Sequence, residues 1–356
     1  MSLRIVVMPG DDIGPEITAA SLVALSAANR KFAIGLELQT VEVGMASYRR
    51  HGNTLTEAAL EAAIKADGVI LGPCGMSDYP AREEGGTNVP GTVRKRLDLF
   101  ANLRPARSRP GVPRARESLD ILIVRENTEG FYSDRNMHFG IAEFMPTPDV
   151  ALSMRKITRE GSRRIAQVAF EYAARRRRRV AVVGKRHVLQ LGDGLFVGEA
   201  EKIAAAHRDV ELREVDVDAM AADLVMRPER YDVILTSNMF GDILSNEAVA
   251  LSGGLGLAAA LNVGERHAVA NAGHGSAPDI AGRNIANPAG LMLSCAMLLE
   301  WLAERKQSQR CREASRALAA AIDEVLQHAE TRTGDLGGRG TTSGFGEAVA
   351  HALGRN

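Results

Sequence analysis

Short apolar runs alternate with segments of helical spacing along most of this chain, and that alternation limits its fold more than any other feature. Leu3–Met8 reads as a buried strand and Pro15–Arg30 as a helix with proline in its opening turn. Gly35–Val43 is strand-like, Leu55–Ala66 helical, and Gly68–Gly72 and Ile121–Arg125 are short buried strands. Ile165, Val168, Ala169 and Tyr172 keep helical spacing; Val180–Val183 is a strand, Gly194–His207 a helix, Val210–Val215 a strand. Tyr231–Ser237 reads as a further buried strand and Asp242–Leu251 as a helix ending at Gly253-Gly254. Helices close the chain at Gly290–Arg305, Arg312–Ala329 and Phe345–Leu353. Such alternation implies an α/β architecture with many parallel strands.

At 356 residues the chain is long enough for two domains or one large α/β unit. The Pro-rich crossing Arg104–Pro113 is a candidate domain junction. Formal net charge is zero, which favours neither nucleic acid nor an anionic membrane. The three cysteines, Cys74, Cys295 and Cys311, have neither metal-ligand nor disulfide spacing, as expected of a cytoplasmic protein. The N-terminus runs directly into a strand, so no signal peptide is expected, and no uncharged apolar run reaches the roughly 18 residues of a membrane span.

Two motifs invite readings that their context removes. Gly254-Leu-Gly256-Leu-Ala-Ala259 matches a dinucleotide fingerprint, but that loop needs a strand before it and a helix after it, whereas here a helix precedes. It reads as a helix stop. The run Arg175–Arg179 lies where a helix ends, and cations there complement the helix dipole; it reads as a solvated helix end.

Thr236-Ser-Asn-Met-Phe-Gly-Asp-Ile-Leu-Ser-Asn-Glu247 places Asp242 and Asn246 four residues apart, on one helical face. Two oxygen-bearing side chains there could hold a hard cation or cap the helix. Arginines cluster in Val93–Pro105 and Ile123–Tyr132, with Arg94 in the first, and Arg104 and Arg125 lie at the ends of apolar runs. Guanidinium is shaped to clamp carboxylates, so three of them converging would suit a substrate with two carboxylates; singly, each reads as an ion pair.

The chain resembles the β-decarboxylating dehydrogenases acting on 3-isopropylmalate, isocitrate, homoisocitrate and tartrate or D-malate. The motifs that carry the resemblance run nearly end to end: Met8–Glu16 (MPGDDIGPE), Leu97–Pro105 (LDLFANLRP), Val124–Gly130 (VRENTEG), Asn238–Ser245 (NMFGDILS), His274–Gly282 (HGSAPDIAG), Ala286–Pro288 and Gly334–Gly338 with Thr341-Thr342. The resemblance implies an isopropylmalate-dehydrogenase-like α/β fold of two domains sharing a large mixed, mostly parallel sheet, and no GxGxxG Rossmann domain. A discontinuous cofactor-side domain would comprise residues 1–101 and 252–356, and a dimerisation and substrate/metal domain residues 102–251.

The same resemblance implies site roles. Arg94, Arg104 and Arg125 would hold the substrate carboxylates, and Asn88 lies in the specificity segment Thr87–Thr92. Tyr132 would handle a proton, and Lys185 would be the catalytic lysine. Asp218, Asp242 and Asn246 would bind Mg²⁺ or Mn²⁺. His274, Gly275, Ser276, Ala277, Pro278, Asp279, Ile280 and Asn287 would bind the cofactor, Asp279 favouring NAD over NADP by accepting from the adenine-ribose 2′-hydroxyl and repelling a 2′-phosphate. Lys185 and Asp218 would reach the partner's site, making the active species a homodimer. For Lys185 to accept a proton, its pKa must fall well below roughly 10.4.

The sequence departs from the family pattern at Asp12 (usually Gly), at Gly184 and His187 around the lysine, at Asn246 (usually Asp) and at Asn271-Ala-Gly before His274. Val89-Pro90-Gly91 is small and apolar. The expected substrate is 3-isopropylmalate or a related 3-alkylmalate, with D-malate or tartrate and isocitrate or homoisocitrate as alternatives. A different class of reading is a catalytically impaired homologue serving as a binding or regulatory subunit.

Overall fold

The computed structural model describes residues 2–113, 115–132 and 143–355. Two compact units emerge: unit 1 comprises Met1–Leu97, Arg109–Ala115 and Gly253–Asn356, and unit 2 Asp98–Ser108 and Arg116–Ser252.

Unit 1 begins with β1 (Leu3–Met8), α1 (Gly14–Phe32), β2 (Leu36–Thr40), α2 (Gly44–His51), α3 (Glu57–Lys65), β3 (Gly68–Leu71) and α4 (Val89–Arg96). Unit 2 follows with β4 (Ala101–Arg107), β5 (Asp120–Glu126), the exposed hairpin β6 (Glu143–Thr147) and β7 (Val150–Ser153), α5 (Arg159–Ala174), β8 (Arg179–Gly184), α6 (Gly192–Ala206), β9 (Glu211–Asp216), α7 (Val217–Met226), β10 (Val233–Thr236) and α8 (Asn238–Leu251). The chain returns to unit 1 with β11 (Ala259–Val263), β12 (Ala268–Ala272), α9 (Ala289–Arg305), α10 (Gln309–Leu326) and α11 (Thr342–Arg355).

Unit 1 orders its strands β2-β1-β3-β12-β11, parallel except for β11 against β12. Unit 2 orders its main strands β4-β5-β10-β8-β9, parallel except for β4 against β5. The buried runs of β1, β3 and β10 follow from this: strands covered on both faces read as continuous apolar segments. Helices pack closely where small residues allow it; a Cβ on Gly346 of α11 would lie 2.7 Å from the Ala20 carbonyl oxygen of α1.

The register of unit 2 positions its chemistry. Thr236 at the end of β10 pairs with Arg125 on β5 and with Val183 on β8, while Gly184 pairs with Asp216 on β9. Arg125, Lys185, Asp218 and the start of α8 therefore lie at the carboxyl ends of the parallel strands, the usual side for ligands in open α/β sheets.

Several elements differ from the sequence reading. Helix α8 starts at Asn238, so Asp242 lies within it and does not cap it. Arg104 belongs to a strand, β4, which runs through Pro105 where a crossing was expected. Elements α2, α4, α7, β11 and β12 emerge only in the structure. Gly253 and Gly254 end α8 at φ 128° and 154°, and β11 follows a single 3₁₀ turn, so the glycine-rich stretch has the order opposite to a phosphate loop. The arginine run is more than a solvated end: Arg176 donates to Asp120 and to the buried Asp232, and Arg177 donates through its backbone N–H to Asp232. Burial opposes the Arg176 charge, but its bonds to the two aspartates outweigh burial and raise its pKa. No described helix is long and apolar enough to cross a membrane.

Candidate active site

In unit 2, β4 and β5 pair antiparallel and carry Arg104 and Arg125, both buried, towards α8. Arg104 Nη1 donates to Asp242 Oδ1 at 3.0 Å and to Ser245 Oγ at 2.8 Å, while its Nε donates to Asn102 Oδ1 at 3.3 Å. Arg125 Nη1 donates to the same Asp242 oxygen at 2.5 Å, and its Nε and Nη2 fork onto Asn238 Oδ1 at 3.1 and 2.7 Å. Tyr132 Oη donates to the other Asp242 oxygen at 2.8 Å. Gly241 makes the approach possible: a Cβ there would stand 2.6 Å from Arg125 Cγ.

Burial alone would raise the Asp242 pKa, but the two guanidinium charges and the tyrosine hydroxyl hold it below the ordinary carboxylate range. Burial lowers the pKa of Arg104 despite Asp242 beside it. The cluster is thus a carboxylate steadied by two desolvated cations, a geometry set from several directions at once. Asn238 and Ser245 were not singled out from the sequence. Both sit in the segment that carries Asp242, and their role follows only from the strand arginines reaching α8.

The other acids of the Val124–Gly130 motif shape its turn. Glu126 accepts from the backbone N–H groups of Thr128 and Glu129, both at 2.7 Å, and Glu129 accepts from Thr158 N at 2.8 Å. Burial raises the pKa of Glu126.

A second cluster lies past the end of β8. The Lys185 backbone N–H donates to the buried Asp193 at 2.6 Å, and Lys185 Nζ donates to Asp216 at 3.2 Å and to Asp218. His187 Nδ1 stands 3.3 Å from the same Asp216 oxygen. A Cβ at Gly184 would sit 3.2 Å from Asp193 Oδ2, so glycine leaves room for the acid that anchors the lysine's backbone. Lys185 departs from expectation. Its hydrogen bond to Asp218 comes first, and together with the contacts to Asp216 it outweighs the opposing effect of burial and raises its pKa. Asp218, exposed in the first turn of α7, is correspondingly lowered, chiefly by Lys185.

Among the described residues no three His, Cys, Asp or Glu side chains gather as a metal site within one chain. Asp242 nonetheless offers a carboxylate one-third exposed, and the exposed Asn246 follows one helical turn later on α8. Together with Asp218 these are hard oxygen donors, the type that suits Mg²⁺ or Mn²⁺. The donor set fits such an ion in chemistry, with Asp242 and Asn246 supplying one face.

The remaining residues belong to unit 1. Arg94 is half-buried near the end of α4. Asn88 caps that helix by accepting from Gly91 N at 2.7 Å, and Val89 is fully buried, so it faces the core. The loop after β12 holds His274–Ile280. His274 Nδ1 lies 2.9 Å from the Gly275 carbonyl oxygen, burial lowers the ring's pKa, and its Nε2 is buried without a partner. Ala277 adopts φ 44° ahead of a 3₁₀ turn at Pro278–Ile280, on which Asp279 is exposed. Asn287 donates to Asp335 at 3.0 Å and accepts from Ala289 N at 2.9 Å at the start of α9. Gly256 is required here, since a Cβ would lie 2.4 Å from Asp335 Oδ2.

The family model for isocitrate/isopropylmalate dehydrogenase matches residues 4–349. The chain belongs to the isocitrate/isopropylmalate dehydrogenase family. It is 38% identical over 354 residues to the 3-isopropylmalate dehydrogenase of Sulfurisphaera tokodaii, covering 99% of this chain and 100% of that protein. It is 40% identical over 360 residues to the isocitrate/homoisocitrate dehydrogenase of Thermus thermophilus, covering 99% of both. A crystal structure of isocitrate dehydrogenase from Methylococcus capsulatus matches with a TM-score of 0.87 at 36% identity, covering 99% of each chain. The chain is therefore a nicotinamide-dependent decarboxylating dehydrogenase that acts on a hydroxy acid, in a family that generally uses NAD(P) and a divalent metal. The relatives' names differ in substrate.

Proposed function

We propose that this chain oxidatively decarboxylates a 2-hydroxy dicarboxylic acid using NAD and Mg²⁺ or Mn²⁺, with 3-isopropylmalate or a related 3-alkylmalate as its substrate. The observation that carries this reading is the convergence of Arg104, Arg125 and Tyr132 on Asp242. Two buried guanidinium groups beside an acid and a phenol form a preorganised seat for a substrate carboxylate next to a cation. Arg94 joins this substrate set on the resemblance alone.

The roles divide as follows. Arg104 and Arg125 bind and orient carboxylate oxygens. Lys185 would take the proton of the substrate hydroxyl as that carbon is oxidised, and Tyr132 would assist protonation of the enol carbon after CO₂ is lost; nicotinamide, when bound, would supply the hydride acceptor. Asp242, Asp218 and Asn246 would hold the divalent ion, which when bound stabilises negative charge on the substrate oxygen. The exposed Asp279 accepts from the adenine-ribose 2′-hydroxyl and repels a 2′-phosphate, which selects NAD. The active species is a homodimer in which Lys185 and Asp218 of one protomer serve the other's site; removing Asp218 from Lys185 would also remove the main contact that keeps the lysine charged.

One observation favours a second reading. Lys185 held between Asp216 and Asp218 has its charged form favoured, which opposes a role as a base. A homologue fixed so would bind ligands without turnover. The test is NADH formation with Mn²⁺ against 3-isopropylmalate, other 3-alkylmalates, D-malate, tartrate, isocitrate and homoisocitrate. Highest kcat/KM on a 3-alkylmalate supports the proposal. A preference for another acid corrects the substrate, and no turnover by a folded protein supports the second reading.

A further inference from the structure

The turn between β1 and α1 carries two adjacent acids with opposite circumstances. Asp11 is fully engaged: Oδ1 accepts from Met45 N at 2.7 Å, and Oδ2 accepts from Gly75 N at 3.1 Å and Tyr79 Oη at 2.6 Å. Asp12 is not. Its Oδ2 is buried yet has no hydrogen-bond partner. Its backbone stands at φ 53°, a conformation that glycine adopts without strain and other residues rarely. Both features work against stability, since a buried acceptor without a donor and a left-handed backbone each cost free energy.

The carboxylate stands close over Gly75. A Cβ built there would lie 2.9 Å from Asp12 Oδ2 and 3.5 Å from Ser276 Oγ. The two loops are tied, with Ile13 N donating to the Ser276 carbonyl oxygen at 3.1 Å. Ser276 belongs to the proposed cofactor loop, where His274 Nε2 is a second buried polar atom without a partner. Asp12 therefore faces the loop assigned to the dinucleotide and lacks only a donor. Phosphates offer no donor and would be repelled by the acid; the ribose hydroxyls are donors.

We infer that Asp12 is a cofactor-positioning residue whose carboxylate accepts a hydrogen bond from a ribose hydroxyl of the dinucleotide. This rests on the cofactor reading of the 274–280 loop. The experiment measures NADH binding by fluorescence titration and calorimetry for the parent chain, Asp12→Gly and Asp12→Asn, with melting temperatures taken without dinucleotide. A charge-assisted hydrogen bond predicts NADH binding about tenfold weaker in Asp12→Gly, and weaker in Asp12→Asn as well. Without dinucleotide, Asp12→Gly should melt no lower than the parent, because glycine accepts the left-handed backbone. Parent-like or tighter NADH binding in both variants overturns the inference. Asp12→Asn, which leaves the size of the side chain unchanged, carries the test if Asp12→Gly does not fold. A parent chain that binds neither NADH nor NADPH overturns the cofactor reading itself, an outcome distinct from parent binding that the variants preserve.

Discussion

The Asp242 and Lys185 clusters lie at the same end of the unit 2 strands but are built in different ways. Around Asp242 the two arginines are buried and bonded to Asp242, Ser245, Asn238 and Asn102. Around Lys185 Nζ the acids are more open: the Asp218 side chain is 70% exposed and Asp216 36%. The first is held by packing and desolvation within the chain. The second is held by ion pairs that solvent screens, and they raise the pKa of its lysine. The difference teaches that the Asp242 cluster is fixed by contacts within one protomer, whereas the Lys185 cluster rests on contacts that favour the charged form of its lysine.

The largest effect should come from Arg125→Leu. Removing a buried cation leaves Asp242 and Asn238 without their main donor, so unfolding should become easier by about 3 kcal/mol in urea titrations, alongside loss of turnover. A change below about 1 kcal/mol would break the contrast between the clusters. Next comes Lys185→Ala: kcat should drop by about a hundredfold or more, with unfolding free energy within about 0.5 kcal/mol of the parent. Destabilisation matching that of Arg125→Leu would show that the second cluster is structural. Asn246→Asp adds a charge one turn from Asp242 and should tighten Mn²⁺ binding about tenfold, read by calorimetry. Equal affinity for both forms would remove Asn246 from the metal face.

The smallest effect concerns pH. Asp242 has a folded-state pKa below its unfolded value, so its contribution to stability is complete above the ordinary carboxylate range and is lost as pH falls through the depressed value. Unfolding free energies measured in EDTA between about pH 5 and pH 2 should therefore fall more steeply for the parent than for Asp242→Asn. Identical slopes would mean that the arginines do not depress this acid.

Much of the architecture was legible where local composition left one choice. The buried, largely β-branched runs of β3, β10 and residues 5–8 of β1 read as covered strands. By contrast, β11 and β12 are rich in alanine, which suits helix and strand alike, and pairing with each other made them strands. Strand β4 was hidden by Pro105, whose fixed φ an extended chain tolerates. Motif order pointed to Asp242, Tyr132, Lys185 and the arginines, but not to Asn238, Ser245 and Asp216, whose partners are distant in sequence, nor to Asp193, which the turn after β8 brings to the Lys185 backbone.

By itself the sequence determined the alternating α/β pattern, the family motifs and which side chains could carry charge or donate protons, because these depend on residue type and short-range spacing. Only the tertiary structure decided that Asp242 serves two arginines instead of capping a helix, that Lys185 stands between two acids, and that Asp12 faces Ser276 without a donor. Those outcomes depend on burial and on distances between residues far apart in the chain, and neither quantity exists until the strands are in register.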